Sequence, residues 1–255
     1  MTSIPNKKLG KKNARFDQRT FKLSKYLKAT ALPPVPPATN WMTKVSNWPM
    51  YSNDTLGDCA EACVGHMIQL WDSYSNPTEA ALTDAQIVQA YSDITGYNPD
   101  DPSSDQGTDL LDMLNYWRNT GIAGHKILAY VSLTPGSLHE LRLATSLFGC
   151  VMIGIQLPIT AQNQTTAWKF IDNTGDGLPG SWGGHCIPCG AYNSDLDYLD
   201  NTVVTWGETL LMGNEFYQFY NDESYAVLTQ DWIDQNGMAP SDFDLAALQA
   251  DLASL

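Results

Sequence analysis

The residues of this sequence best suited to chemistry are a cysteine placed where a thiolate is favoured and a histidine placed where a second chain can approach. The cysteine is Cys59, in Asn53-Asp54-Thr55-Leu56-Gly57-Asp58-Cys59-Ala60-Glu61-Ala62-Cys63. Gly57 permits a sharp turn, Asp58 is a natural helix N-cap, and Glu61 three residues later completes an Asp-x-x-Glu capping box. Cys59 then takes the first helical position, where unpaired amides and the positive end of the helix dipole favour the thiolate, the reactive form of cysteine. Such a nucleophile needs a base. His185 lies in Trp182-Gly183-Gly184-His185-Cys186, and the two glycines ahead of it let another backbone or a substrate come close. His66 and His139 fall within helical stretches and His125 follows a turn glycine, so these three read as structural or surface residues.

Two other patterns resemble cation sites. Cys59, Cys63 and His66 share a helix face, and Cys186-x-x-Cys189 has a zinc-ligand spacing. On a strand, however, residues 186 and 189 point to opposite faces, so Cys63, Cys150 and Cys189 read as buried packing residues. Asp172-Asn173-Thr174-Gly175-Asp176-Gly177 copies the first half of an EF-hand loop, but Gly183 stands where a bidentate glutamate belongs, which makes it a turn near the cleft rim. Neither a metal nor a cofactor is expected.

The elements that must position Cys59 and His185 divide the chain in two. The helix opened by Asp58 should run to about Asp72. A second helix follows over Thr83–Tyr91 and a third over Thr108–Asn119, stopped by Gly121. The second half has a strand at Ile127–Val131, a helix at Pro135–Leu147, a buried strand at Cys150–Leu157, and further strands at Cys186–Tyr192, Thr202–Trp206, Leu210–Met212 and Tyr225–Leu228. Helices first and strands later predict an α+β protein with segregated halves. The spacing of Leu245, Leu248, Leu252 and Leu255 predicts an amphipathic C-terminal helix within residues 236–255.

Charge is unevenly spread. Residues 1–44 hold ten of the fourteen basic residues against one acid, a net +9, leaving 4 basic and 27 acidic residues, or −23, for the rest. The body should repel nucleic acid and anionic membrane, so any nucleic-acid contact is expected only through residues 1–44. The arm, residues 1–32, is drawn to an acidic protein surface, to a large assembly, or to the body itself. The proline-rich run from Leu32 to Trp41 marks the start of the folded domain, residues 33–235. No apolar run approaches the roughly 18 residues of a membrane helix and no signal peptide is legible, so a cytoplasmic or particle-associated protein is expected. Five cysteines is an odd number, and without a secretory signal reduced thiols are the default.

Over about residues 33 to 230 the chain resembles the papain-like cysteine peptidases. The proline-rich lead into Asn40-Trp41 is similar to that family's mature start. Asn53, six residues before Cys59, sits where the family has its oxyanion glutamine, and Gly57-Asp58-Cys59 is similar to its Gly-Ser-Cys. Leu82–Gln86 resembles its Leu-Ser-x-Gln helix start with one residue added, Gly107 falls at its Gly-Gly turn, residues 184–192 resemble its histidine strand, and Thr205-Trp206-Gly207 resembles the end of its Asn-Ser-Trp-Gly motif. The resemblance implies a papain-like α+β fold, with the active-site cleft between a helical half carrying Cys59 and an antiparallel β-rich half carrying His185. It implies peptide or protein hydrolysis by a Cys59–His185 dyad, an oxyanion hole from the Cys59 amide and Asn53, and Trp206 shielding the histidine.

Three departures stand out. Val204 replaces the asparagine that orients the histidine, with Thr205 expected on the opposite strand face; Asn53 is one methylene shorter than glutamine; and Asp58 and Glu61 place acidic groups beside the thiol. The 32 residues ahead of the domain are also short for the family's inhibitory pro-segment. The alternative expectation is therefore a weak or inactive papain-fold subunit that decorates a large assembly such as a virus particle, tethered by the basic arm.

Overall fold

The computed structural model describes residues 7–27, 34–78, 80–195, 200–230 and 232. In chain order the elements are α1 (Leu23–Tyr26), β1 (Ala38–Asn40), α2 (Cys59–Ser75), α3 (Asp84–Thr95), α4 (Leu110–Asn119), β2 (Ala129–Ser132), α5 (Leu138–Phe148), β3 (Val151–Leu157), β4 (Ala167–Trp168), β5 (Gly183–Asn193), β6 (Asn201–Thr205), β7 (Glu208–Met212), α6 (Asn214–Tyr220) and β8 (Asn221–Leu228). One sheet runs in the order β2-β8-β3-β5-β6-β7-β4, with β1 added on β5; every pairing is antiparallel except that of β4 with β7. The α+β reading with segregated halves holds. α6 was not legible in the sequence: it is one short segment rich in aromatic residues, which have modest helix propensity. The expected C-terminal helix over residues 236–255 lies outside the described residues.

Both faces of the central strands are buried, which is why β3 reads as a continuous apolar run. On one face Ile153, Ile155, Ile187 and Val203 pack with α5, α6 and Trp168; on the other Met152, Cys186 and Val204 pack with Cys59, Cys63, Met67 and Leu70 of α2. The catalytic candidates are thus carried by a helix buried over its first ten residues and a strand buried over its middle that lean on each other. All five cysteines are buried and unbridged. As strand geometry requires, Cys186 and Cys189 belong to opposite faces.

Within the described residues the basic arm lies on its own body. Leu23 and Tyr26 of α1 are buried in the core, and the Ser132 amide of β2 donates to the Phe21 carbonyl at 2.7 Å. Two apolar anchors offset the cost of ordering a chain segment otherwise poor in core residues. No helix among the described residues is long and apolar enough to cross a membrane.

Candidate active site

Cys59 is the first residue of α2, but the capping box expected at Asp58 and Glu61 does not form. The Asp58 carboxylate makes no cap bond. It accepts instead from Asn53 Nδ2 at 3.2 Å, while Glu61 accepts the Thr108 hydroxyl at 2.9 and 3.1 Å. Burial is the cause. Both carboxyls are 0% exposed, so each turns to an interior donor and leaves the helix amides. A complete capping box is found at Thr83 and Gln86, on the exposed start of α3. Burial, and for Asp58 the neighbouring Glu61, pushes both carboxyls up to about 8. At neutral pH they are protonated, and the negative charge expected beside the thiol is absent. Asn53 also donates to the Leu56 carbonyl at 3.4 Å, so its amide is committed to the turn rather than aimed at an oxyanion.

His185 is fully buried near the start of β5. Its Nε2 lies 2.9 Å from Thr205 Oγ1. The imidazole stacks on Trp206, with centroids 4.5 Å apart and planes 16° from parallel, and meets the edge of Trp168 at 6.5 Å. Here the expectation for Val204 is corrected. Cys189 of β5 pairs with Val203 of β6 just before a register shift, so His185, Ile187 and Cys189 share a face with Val203 and Thr205. Thr205 therefore joins His185, and Val204 points into the α2 side of the core. Counting back from Trp206 gave the wrong parity; the strand register decides it. The same face brings in Trp168, which the sequence did not single out.

The thiol of Cys59 lies against the backbone of Cys186, the residue after His185, and against the backbone of Gly10 from the arm. Burial pushes this thiol well above its ordinary range and lowers His185 to about 3. His185 Nδ1 is buried without a hydrogen-bond partner. Cys186 is the link between the two candidates: its backbone meets Cys59 and its chain neighbour is His185, and burial disfavours charge on thiol and imidazole alike.

What keeps them dry is the arm. Residues 8–12 run through the cleft between the Gly107-Thr108 turn and Gly184, joined to both walls by main-chain bonds. Thr108 N donates to Gly10 O at 2.7 Å, Lys12 N to Thr108 O at 2.9 Å, and Lys11 N to Gly184 O at 3.0 Å. The slot is one backbone thick: a Cβ on Gly10 would overlap the Gly57 carbonyl, one on Gly107 the Gly10 carbonyl, and one on Gly184 the Lys11 carbonyl. Lys8 Nζ pairs with Asp105 at 3.0 Å, and Trp206 Nε1 donates to the Lys8 carbonyl at 3.3 Å. Asp105 in turn accepts from the Gly57 amide at 3.0 Å and the Tyr91 hydroxyl at 2.6 Å, linking the cysteine turn to the cleft wall. A short arm therefore fills the place for which its length had looked insufficient. The one sequence hint was a lone glycine among lysines, Leu9-Gly10-Lys11-Lys12.

The remaining candidates are structural. His66 Nε2 donates to the Pro49 carbonyl at 2.7 Å, and burial lowers its imidazole to about 4, so it stays neutral. The Asp172–Gly177 segment is a turn closed on itself, with the Thr174 amide donating to Asp172 Oδ1 at 3.0 Å. Among the described residues no group of three or more His, Cys, Asp or Glu side chains could hold a metal ion.

This arrangement defines the papain-like fold, that of the papain-like cysteine proteases. Xylellain, a cysteine protease from Xylella fastidiosa, superposes with a TM-score of 0.68 at 13% identity, over 88% of this chain and 97% of that one. Cathepsin B S9 from Trypanosoma congolense, in its pro form, gives 0.61 at 11% identity over 88% and 86%; digestive procathepsin L 3 from Tenebrio molitor larval midgut gives 0.60 at 13% over 88% and 76%. The sequence matches no protein-family profile and no curated protein.

Proposed function

We propose that this protein is a papain-like cysteine peptidase whose Cys59–His185 dyad is held closed by residues 8–12 of its own chain. The observation that carries this reading is a peptide backbone, that of Gly10, lying against Cys59 and hydrogen-bonded to both cleft walls, the placement a substrate needs. With the arm withdrawn, water re-enters and the burial that keeps thiol and imidazole neutral is relieved. The Cys59 thiolate then attacks a peptide carbonyl, and His185 passes the thiol proton to the leaving amine. Thr205 holds Nε2 so that Nδ1 faces the cleft. The Cys59 amide, which has no intrahelical acceptor at this first position, is one oxyanion donor, and Asn53 becomes the second by turning away from Asp58.

Gly10→Val tests the proposal by expelling the arm. Iodoacetamide should then label Cys59 at least tenfold faster than in the parent protein, the label should fall on Cys59 ahead of the other four cysteines, and His185→Ala in the same background should remove the gain. Unchanged, uniform labelling of all five thiols would end the dyad reading. A second reading, an assembly subunit tethered by its arm, draws on Phe16, which is 80% exposed in mid-arm beside Arg19, whose side chain is 81% exposed. In that reading the arm docks Phe16 and Arg19 on an acidic partner while its earlier residues keep the cleft shut, and double substitution to Ala and Glu abolishes association without altering Cys59 labelling.

A further inference from the structure

We infer that the cleft beside Cys59 contains a pocket specific for a lysine or arginine side chain, that Glu223 and Asp222 form it, and that Lys11 of the arm occupies it as a stand-in for substrate. The inference rests on the peptidase reading and adds the substrate class. Lys11 has a fully buried side chain, and its ammonium meets three acceptors: Asp222 Oδ2 at 2.8 Å, Glu223 Oε1 at 2.9 Å and the Lys12 carbonyl at 3.0 Å. Three donors and three acceptors is complete satisfaction for a lysine.

The body builds this pocket by itself. β3 and β8 pair with a register shift between Gly154 and Ile155: Gly154 opposes Glu223, Ile155 opposes Asn221, and Asp222 is the extra residue of a bulge. Successive residues of a regular strand face opposite ways; a bulge lets two neighbours face the same way, and here it turns two carboxylates to one point. Each is held by a donor of the body. Tyr225 donates its hydroxyl to Glu223 Oε2 at 2.8 Å, and Gln156 Nε2 donates to Asp222 Oδ2 at 2.7 Å, while Asp222 Oδ1 stays buried without a partner. Gly154 explains itself at the same place: a Cβ there would overlap Lys11 Cε and come within 2.7 Å of Glu223 Cγ, so glycine makes room for the aliphatic stem of the guest. A pocket with two fixed carboxylates, a stem channel and an unused acceptor rejects apolar and acidic side chains and fits a guanidinium as well as an ammonium.

Gly10 is the residue against Cys59 and Lys11 is its neighbour, so the pocket reads the residue next to the one at the thiol. The single β-bridge of Lys11 with Thr108 is parallel. A substrate running either way would meet the pocket at one of the two positions flanking the residue at the thiol.

The test uses the full chain carrying Gly10→Val, which expels the arm and Lys11 with it, and the same chain with Glu223→Gln added. Internally quenched peptides carry Lys, Arg, norleucine or Glu in turn at each position flanking the residue whose carbonyl is attacked. Lys and Arg should exceed norleucine at least tenfold in kcat/KM at one of the two positions, and Glu223→Gln should bring that ratio to near one. Equal cleavage of all peptides would overturn the pocket and leave the peptidase reading standing. If no peptide is cleaved, the peptidase reading fails and the pocket is judged by protection of Cys59 from iodoacetamide. Protection by the Lys peptide and not by its norleucine twin upholds the pocket; equal or absent protection overturns it.

Discussion

Two pairs of carboxyls flank the cleft, one fully buried and one with Asp222 partly open to solvent, and they are stabilised in different ways. Asp58 and Glu61 lie under the thiol with only neutral donors, Asn53 and Thr108, and are pushed to about 8, so they shed their charge. Asp222 and Glu223 lie across the cleft around an ammonium, each in an ion pair with Lys11 Nζ; burial still pushes the Glu223 carboxyl up, and Lys11 opposes that rise. Both pairs are separated in sequence by few residues and look alike on paper. The difference is a partner more than 200 positions away in the sequence, and it shows that acidity in a cleft means little until the cation count is known. It also assigns roles: the first pair leaves the thiol free of negative charge at neutral pH, and the second selects what may lie beside it.

Removing the cation is the strongest way to break this contrast. Lys11→Met leaves the buried Glu223 and the partly exposed Asp222 without a counter-charge and should cost about 3 kcal/mol of arm docking, read as faster hydrogen exchange at the Thr108 and Lys12 amides while the amides of α4 keep their protection. Next in size is the pH response of the first pair. An acid raised from 3.8 or 4.5 to about 8 favours the folded state most below its ordinary value, and that advantage is lost as pH rises toward 8. Each group contributes a fall of about 1.4 kcal/mol per pH unit within its window, so denaturant midpoints should decline from pH 5 to pH 8. Asp58→Asn with Glu61→Gln should flatten the decline, and an unchanged slope would assign it elsewhere. Thr205→Val removes the hydrogen-bond partner that the buried His185 Nε2 has among the described residues. It should cost about 1–2 kcal/mol and cut the Cys59 labelling rate in the Gly10→Val background, with Thr205→Ser restoring both. Smallest of all, Lys8→Ala should change docking by less than about 1 kcal/mol, because Lys8 is 45% exposed and its pair with Asp105 is screened.

How much of this was legible in the sequence follows from the range of the interactions. The turn at Gly57, the helix carrying Cys59, the strand carrying His185 and the order of helices and strands are local patterns, and they stand where periodicity and glycine placement put them. Strand register is not local. Thr205 was assigned to the wrong face because the motif was counted from Trp206, whereas pairing of Cys189 with Val203 sets the parity. The Asp58–Glu61 pattern matched a capping box, yet burial redirected both carboxyls, something no three-residue spacing reports. The arm was read as basic and as short for the family's pro-segment; what lies in the cleft is the backbone of Gly10, and net charge says nothing about where a glycine comes to rest. Glu223, Asp222 and Gly154 passed unnoticed because their meaning depends on a bulge between two strands far apart in the chain.

The slot lined by Gly10, Gly57, Gly107 and Gly184 has an implication for how this protein can change over generations. At Gly10 any missense substitution introduces a side chain the slot cannot hold, and the consequence falls on the arm while the body keeps its whole sequence. Restraint is thus encoded by the lack of a side chain at one position, with no second residue able to supply it. Chance mutation there has one direction, toward an open cleft, so whatever selection acts on the timing of that opening acts on Gly10 more sharply than on Cys59 itself.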